Sequence, residues 1–140
     1  MKIEIPQDKK RVHELRFPVR WGDMDAMGHV NNAQYFRYME TARIEWMCAI
    51  GCQPAPQGQG PVIANAFCNF HHQLAHPDQL LLTTYVSDPG RCTFESWCTI
   101  ERESQPGVIC AAGGATVIWV DAALQKASPL PDWMRALVSD

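Results

Sequence analysis

From Glu14 to Trp21 apolar and polar residues alternate, with Leu15, Phe17, Val19 and Trp21 on one side and Glu14, Arg16, Pro18 and Arg20 on the other. That period of two predicts a half-buried strand. Pro18 has no N–H to give to a ladder, so the strand is expected at a sheet edge or bulged there. Residues 1–10 are mostly polar and read as a loose arm. After a turn at Gly22 to Val30 the period changes: Tyr35, Met39, Ala42, Trp46 and Ile50 recur at helical spacing, and Phe36 and Met47 widen the stripe. Asn31 or Asn32 suits the N-cap and Gly51 the residue past the helix end. At 1.5 Å per residue this helix would reach roughly 28 Å, and so apolar a stripe needs a broad surface against it.

The segment Cys52 to Pro61 is rich in Gly, Pro and Gln and predicts a loop. Four strand-like runs follow, at about Val62 to Leu74, Leu80 to Ser87, Arg91 to Glu103 and Val108 to Val120. Turn signals at Asp88-Pro-Gly90 and Ser104-Gln-Pro-Gly107 predict antiparallel hairpins between consecutive strands. The last run is apolar or small on both faces, as a central strand would be, and Gly113-Gly114 signals a bend or a close backbone approach. Ser128 to Val138, with prolines near its start, predicts a short closing helix. The order strand, long helix, four strands is that of one α+β domain over residues 1–140, an antiparallel sheet covering one helix. Such a sheet leaves an edge exposed, which is commonly covered by dimerisation.

Charge and composition narrow the partners. With net charge −3 and 12 scattered basic residues there is no cationic stripe to track a phosphate backbone, so nucleic acid is not an expected partner. The N-terminus is too polar for a signal peptide and no run approaches the ~18 apolar residues of a membrane span, so the expected location is cytoplasmic and no membrane partner is expected. The six cysteines show no Cys-x-x-Cys spacing and read as reduced, mostly buried small hydrophobes.

The chemistry concentrates in Arg20-Trp-Gly-Asp-Met-Asp-Ala-Met-Gly-His-Val-Asn-Asn32. Two carboxylates and a histidine sit on a turn that leads into a helix N-terminus, whose unpaired N–H groups favour negative charge. A lone Asp-x-Asp before a helix is most often an Asx-turn or a cap. The full string, with Tyr35-Phe36 and Glu40-x-x-Arg43 after it, resembles the acyl-CoA thioesterases of the 4-hydroxybenzoyl-CoA thioesterase type, in their H-V-N-N subgroup. The resemblance implies the hotdog fold, an antiparallel sheet wrapped around one long helix, in agreement with the order of elements. It also implies acyl-CoA as substrate, no cofactor, no metal, and a homodimer or homotetramer.

Carried over to this chain, the resemblance makes Asp25 the catalytic carboxylate, as base or nucleophile, and Asp23 structural. Asn32 and its neighbours become the donors to the thioester oxygen, while His29 either holds water or the carbonyl or satisfies a backbone group. One side of the helix would line the acyl pocket, with Tyr35 its expected contributor, and Arg91 and Lys126 match the basic residues that meet coenzyme A. His71, His72 and His76 lie in or beside one strand, where adjacent side chains point to opposite faces, so they make no expected zinc site. Glu40 and Arg43 read as a helix-surface or interface ion pair. Three alternatives stay open: a module that binds acyl thioesters without turnover, a thioesterase for acyl carrier protein, and a hotdog hydratase or dehydratase.

Overall fold

The computed structural model describes residues 3–52 and 55–140. Its elements are β1 (Lys10–Pro18), a 3-10 turn (Trp21–Asp23), α1 (Asn32–Ala49), β2 (Gln59–Phe70), β3 (Gln79–Ser87), β4 (Thr93–Arg102), β5 (Ile109–Asp121), β6 (Lys126–Ala127) and α2 (Asp132–Val138). All strand pairings are antiparallel, in the order β1-β3-β4-β5-β2, with β6 attached to β5.

The helix forms where its periodicity puts it. Asn31 is the N-cap, its side-chain oxygen accepting the Ala33 N–H at 2.9 Å, and Gly51 takes φ 84° just past the end. Tyr35, Tyr38, Met39, Ala42, Trp46 and Met47 are buried against the sheet. Around the first half of α1 they pack with Leu80, Leu82, Ile100 and Cys110; around the second half with Val86, Phe94, Val117 and Trp119. Each large side chain so buried is worth about 1.5–3 kcal/mol of transfer free energy.

Several expectations change. β2 does not pair with β3: it lies beside β5 at one edge, while β3 lies beside β1 near the other. The chain between them crosses the N-terminal end of α1, where the Leu74 carbonyl accepts the Val30 N–H at 2.7 Å. At eight residues (71–78), that connection exceeds the two to five typical of a hairpin. Trp21 leaves the strand alternation because β1 ends at Pro18, and its side chain is 75% exposed in the 3-10 turn. β1 is an edge strand, as Pro18 requires. Of the presumed loose arm, Lys10 already belongs to β1, and Ile3 is tied down where its carbonyl accepts the Asn69 Nδ2 at 2.7 Å. Met1, Lys2, and Gln53 and Pro54 of the predicted loop, lie outside the described residues.

β5 is the central strand its composition predicts, and its glycine pair marks close approach on both sides. A Cβ at Gly113 would collide with the Phe67 carbonyl of β2 and stand 2.9 Å from the Met39 Sδ of α1. One at Gly114 would lie 2.6 Å from the Trp97 ring of β4.

Candidate active site

The stretch from Asp23 to Asn31 folds back as a small hairpin. The Asn31 N–H donates to the Asp23 carbonyl at 3.0 Å, Met24 and Val30 form a bridge, and the Asp25 N–H donates to the His29 carbonyl at 2.8 Å. Gly28 supplies the turn with φ 81°, a conformation that costs glycine little. This backbone geometry sets Asp25 across from His29 and delivers the chain directly into α1.

The two aspartates do different work. Asp23 is buried; its Oδ2 accepts the Tyr38 hydroxyl at 2.7 Å and the Arg20 N–H at 3.2 Å, tying the turn to the helix. Burial, and then the hydrogen bond to Asp23, push the Tyr38 phenol well above its ordinary range. Asp25 is exposed, with Oδ1 accepting the Met27 N–H at 2.9 Å and the His29 N–H at 3.4 Å. Its Oδ2 has no partner among the described residues, so the carboxylate is oriented by one oxygen and free at the other.

At the start of α1 one backbone donor is unclaimed. The Ala33 N–H goes to the Asn31 side chain and the Gln34 N–H to the Asn31 carbonyl, whereas the Asn32 N–H meets no acceptor among the described residues. Beside it lies a pocket of about 110 Å³ lined by Asn32, Tyr35, Phe70, His71, His72 and Gln73. Tyr35 is buried, its phenol raised by that burial, and its ring meets Phe70 edge-on at 4.8 Å. Phe70 to Gln73 escaped the sequence reading as site residues. The histidine doublet was visible, but nothing in its spacing says that the crossing connection carries it to the helix N-terminus.

Asp25, His29, Asn32 and Tyr35 thus gather at one end of the molecule, although Asp25 itself does not line the small pocket. Arg91 and Lys126 sit at the other end, where the second half of α1 packs against Phe94, Trp119 and Leu130. The Arg91 carbonyl accepts the Leu130 N–H at 2.9 Å, its guanidinium donates to the Cys92 Sγ at 3.4 Å, and Lys126 is exposed in β6. The length of α1 separates these residues from Asn32 within one chain, about 27 Å at 1.5 Å per residue. The expected Glu40–Arg43 ion pair is not formed within the chain: among the described residues the pairs are Arg11–Glu14 and His13–Glu45. Arg43 is instead half-buried beside Cys98, and the desolvation lowers its pKa. Among the described residues no three His, Cys, Asp or Glu side chains converge to hold a metal ion, and no helix is long and apolar enough to cross a membrane.

A long helix wrapped by an antiparallel sheet, with a charge-bearing turn at the helix start, defines a hotdog-fold protein. Residues 19–138 match the model of the thioesterase-like superfamily, and the chain belongs to that family. A Pseudomonas aeruginosa structure named "a putative Thioesterase" superposes with TM-score 0.85 at 31% identity, covering 91% of this chain and 98% of that one. A Xanthomonas campestris structure named "a putative acyl-CoA thioesterase" superposes with TM-score 0.77 at 30% identity, covering 86% of this chain and all of the other. A "Putative esterase" of Aquifex aeolicus is 30% identical over 79 residues, a match spanning 54% of this chain and 62% of that relative's length.

Proposed function

We propose that this chain is an acyl-CoA thioesterase of the H-V-N-N subgroup of the 4-hydroxybenzoyl-CoA thioesterase type, releasing free acid and coenzyme A. The observation that carries the reading is the unclaimed Asn32 N–H at the start of α1, opening on a pocket, with the Asp25 carboxylate fixed in the turn just before it. A preoriented amide at a helix N-terminus stabilises the negative charge that develops on a thioester oxygen, typically by about 3 kcal/mol per donor. As base, Asp25 takes a proton from water while the water oxygen adds to the carbonyl carbon. The C–S bond then breaks and the proton passes to the departing thiolate. As nucleophile, the same carboxylate adds to the carbonyl carbon, and the C–S bond breaks to release the coenzyme A thiolate and leave a mixed anhydride. Water then hydrolyses the anhydride to the free acid and the regenerated Asp25 carboxylate. Family membership and the names of the relatives at 30% identity or more support the reaction class.

The reading includes a second copy of the chain. β2 is an unpaired edge, exposed from Val62 to Ala66, with Val62 46% and Ile63 44% exposed. Antiparallel pairing of two β2 edges reverses the second copy, so its Arg91 end is carried toward the Asp25 end of the first. That arrangement would return Arg91 and Lys126 to the substrate, and two such dimers would make the expected tetramer.

The test is hydrolysis of a panel of acyl-CoA thioesters, followed with a thiol-trapping dye. Asp25→Asn keeps the Oδ1 acceptor for the Met27 N–H and is expected to lower kcat by about 100-fold or more. An unchanged rate in the variant, or no turnover of any acyl-CoA by the wild-type protein, overturns the proposal.

A further inference from the structure

Arg102 ends β4 beside the connection that crosses the start of α1, and its guanidinium joins two segments. Nη1 donates to the Gln73 carbonyl at 2.8 Å, while Nε, at 3.2 Å, and Nη2 donate to the Gln105 side chain in the turn after the strand. Among the described residues it has no carboxylate partner, so a permanent positive charge is held on neutral acceptors.

The peptide that accepts from Arg102 is also the one that reaches Tyr35. Its oxygen is the Gln73 carbonyl, and its N–H, that of Leu74, donates to the Tyr35 phenol oxygen. Hydrogen bonds in such a chain polarise one another, so a cation on the peptide oxygen strengthens the donor at the peptide nitrogen. The Leu74 N–H and the Arg102 charge both favour the phenolate, but burial outweighs them and holds the phenol pKa above its ordinary value. At neutral pH the hydroxyl therefore keeps its proton, and it donates that proton to no acceptor among the described residues.

The free donor faces the right space. Helix residues three apart are neighbours on one face, and a helical side chain leans back toward the N-terminus. Tyr35 thus leans over the first turn of α1, and it lines with Asn32 the pocket of about 110 Å³ on which the unclaimed Asn32 N–H opens. A carbonyl oxygen carries two lone pairs and accepts from two donors at once.

We propose that the Tyr35 hydroxyl is the second donor to the thioester oxygen, beside the Asn32 amide, and that Arg102 is a positioning residue that orients and polarises it through the 73–74 peptide. The inference rests on the thioester reading and deepens it: Tyr35 becomes a donor at the reacting carbonyl, and Arg102 acts without touching the substrate. The hydroxyl shares its proton in a hydrogen bond and keeps it, so the bonds made and broken in hydrolysis are unaltered.

The test is a double-mutant cycle on whichever acyl-CoA the wild-type protein hydrolyses fastest. Tyr35→Phe is expected to lower kcat about 100-fold with KM within about twofold of wild type, and Arg102→Met to lower kcat about tenfold. The double variant should fall no more than about twofold below Tyr35→Phe, because Arg102 works through the hydroxyl that is already gone. Arg102→Lys keeps a charged donor for the Gln73 carbonyl and is expected to recover most of the loss. Thermal melts matched to wild type check that each variant folds. Ultraviolet titration of the tyrosines gives a readout without substrate: the step absent from Tyr35→Phe should move to higher pH in Arg102→Met, since a cation favouring the phenolate has been removed. An unchanged kcat in Tyr35→Phe, a full Arg102→Met loss persisting in the double variant, or a Tyr35 titration that Arg102→Met leaves in place overturns this inference and leaves the thioester reading standing. No turnover of any acyl-CoA by the wild-type protein overturns the thioester reading and this inference with it.

Discussion

Asp23 and Asp25 share a residue type and a turn, and the fold gives them opposite surroundings. Asp23 is enclosed and makes a two-partner tie to Tyr38 and the Arg20 backbone, while Asp25 is exposed with one oxygen unclaimed. The tie has a measurable cost when broken. Tyr38→Phe leaves the buried Asp23 Oδ2 with one weaker partner and is expected to lower stability by about 1–3 kcal/mol in urea unfolding near neutral pH. The same contact predicts an alkaline dependence. Because the folded pKa of Tyr38 is raised above the ordinary 10.0, its contribution is intact below about pH 10 and is lost as pH climbs beyond it. The urea midpoint of the wild-type protein should fall between about pH 10 and 12 more steeply than that of Tyr38→Phe, and the two should run parallel below about pH 9.5. A residual slope in the variant is expected, since Tyr35 is shifted in the same direction. Parallel declines in the two proteins would show that Tyr38 is not the group responsible.

Among the elements, β5 bears the tightest constraint because it is pressed between β2, β4 and α1. Gly113→Ala would drive a methyl group into the Phe67 carbonyl, which belongs to backbone and cannot swing away, so a loss of about 2–4 kcal/mol is expected in denaturant unfolding. Gly60→Ala in β2, with nothing within 4 Å, serves as the contrast and should stay within about 0.5 kcal/mol of wild type. A near-neutral Gly113→Ala would contradict the packing described. α1 and β5 were legible because each prints its environment on its own residues: a 3.6 period for a helix with one buried stripe, and small or apolar residues on both faces for a central strand. The partner of β2 was not legible in that way, because pairing is chosen between distant segments, and the length of the 71–78 connection was the local sign that no hairpin forms there.

At the scale of the whole molecule the proposed pairing of two β2 edges makes a prediction for the behaviour in solution. Sedimentation at neutral pH is expected to give at least twice the 15.8 kDa of one chain, and Val62→Lys/Ile63→Lys should shift it toward monomer and lower thioester turnover with it. A wild-type protein that sediments at 15.8 kDa would remove the second copy from the proposal. The amino-acid sequence by itself determined the α+β class, the helix and its cap, the edge position of β1 and the turn that carries Asp23, Asp25 and His29, because periodicity, capping and turn chemistry act between neighbours in the chain. Only the tertiary structure decided that His71, His72 and Gln73 stand beside Asn32, that Arg91 and Lys126 lie a helix length away, and that Arg102 reaches the Gln73 carbonyl. Those placements follow from a chain crossing and a sheet order that bring remote segments together, and the free energy that selects them is the burial of the entire helix face, a sum that no single stretch of residues displays.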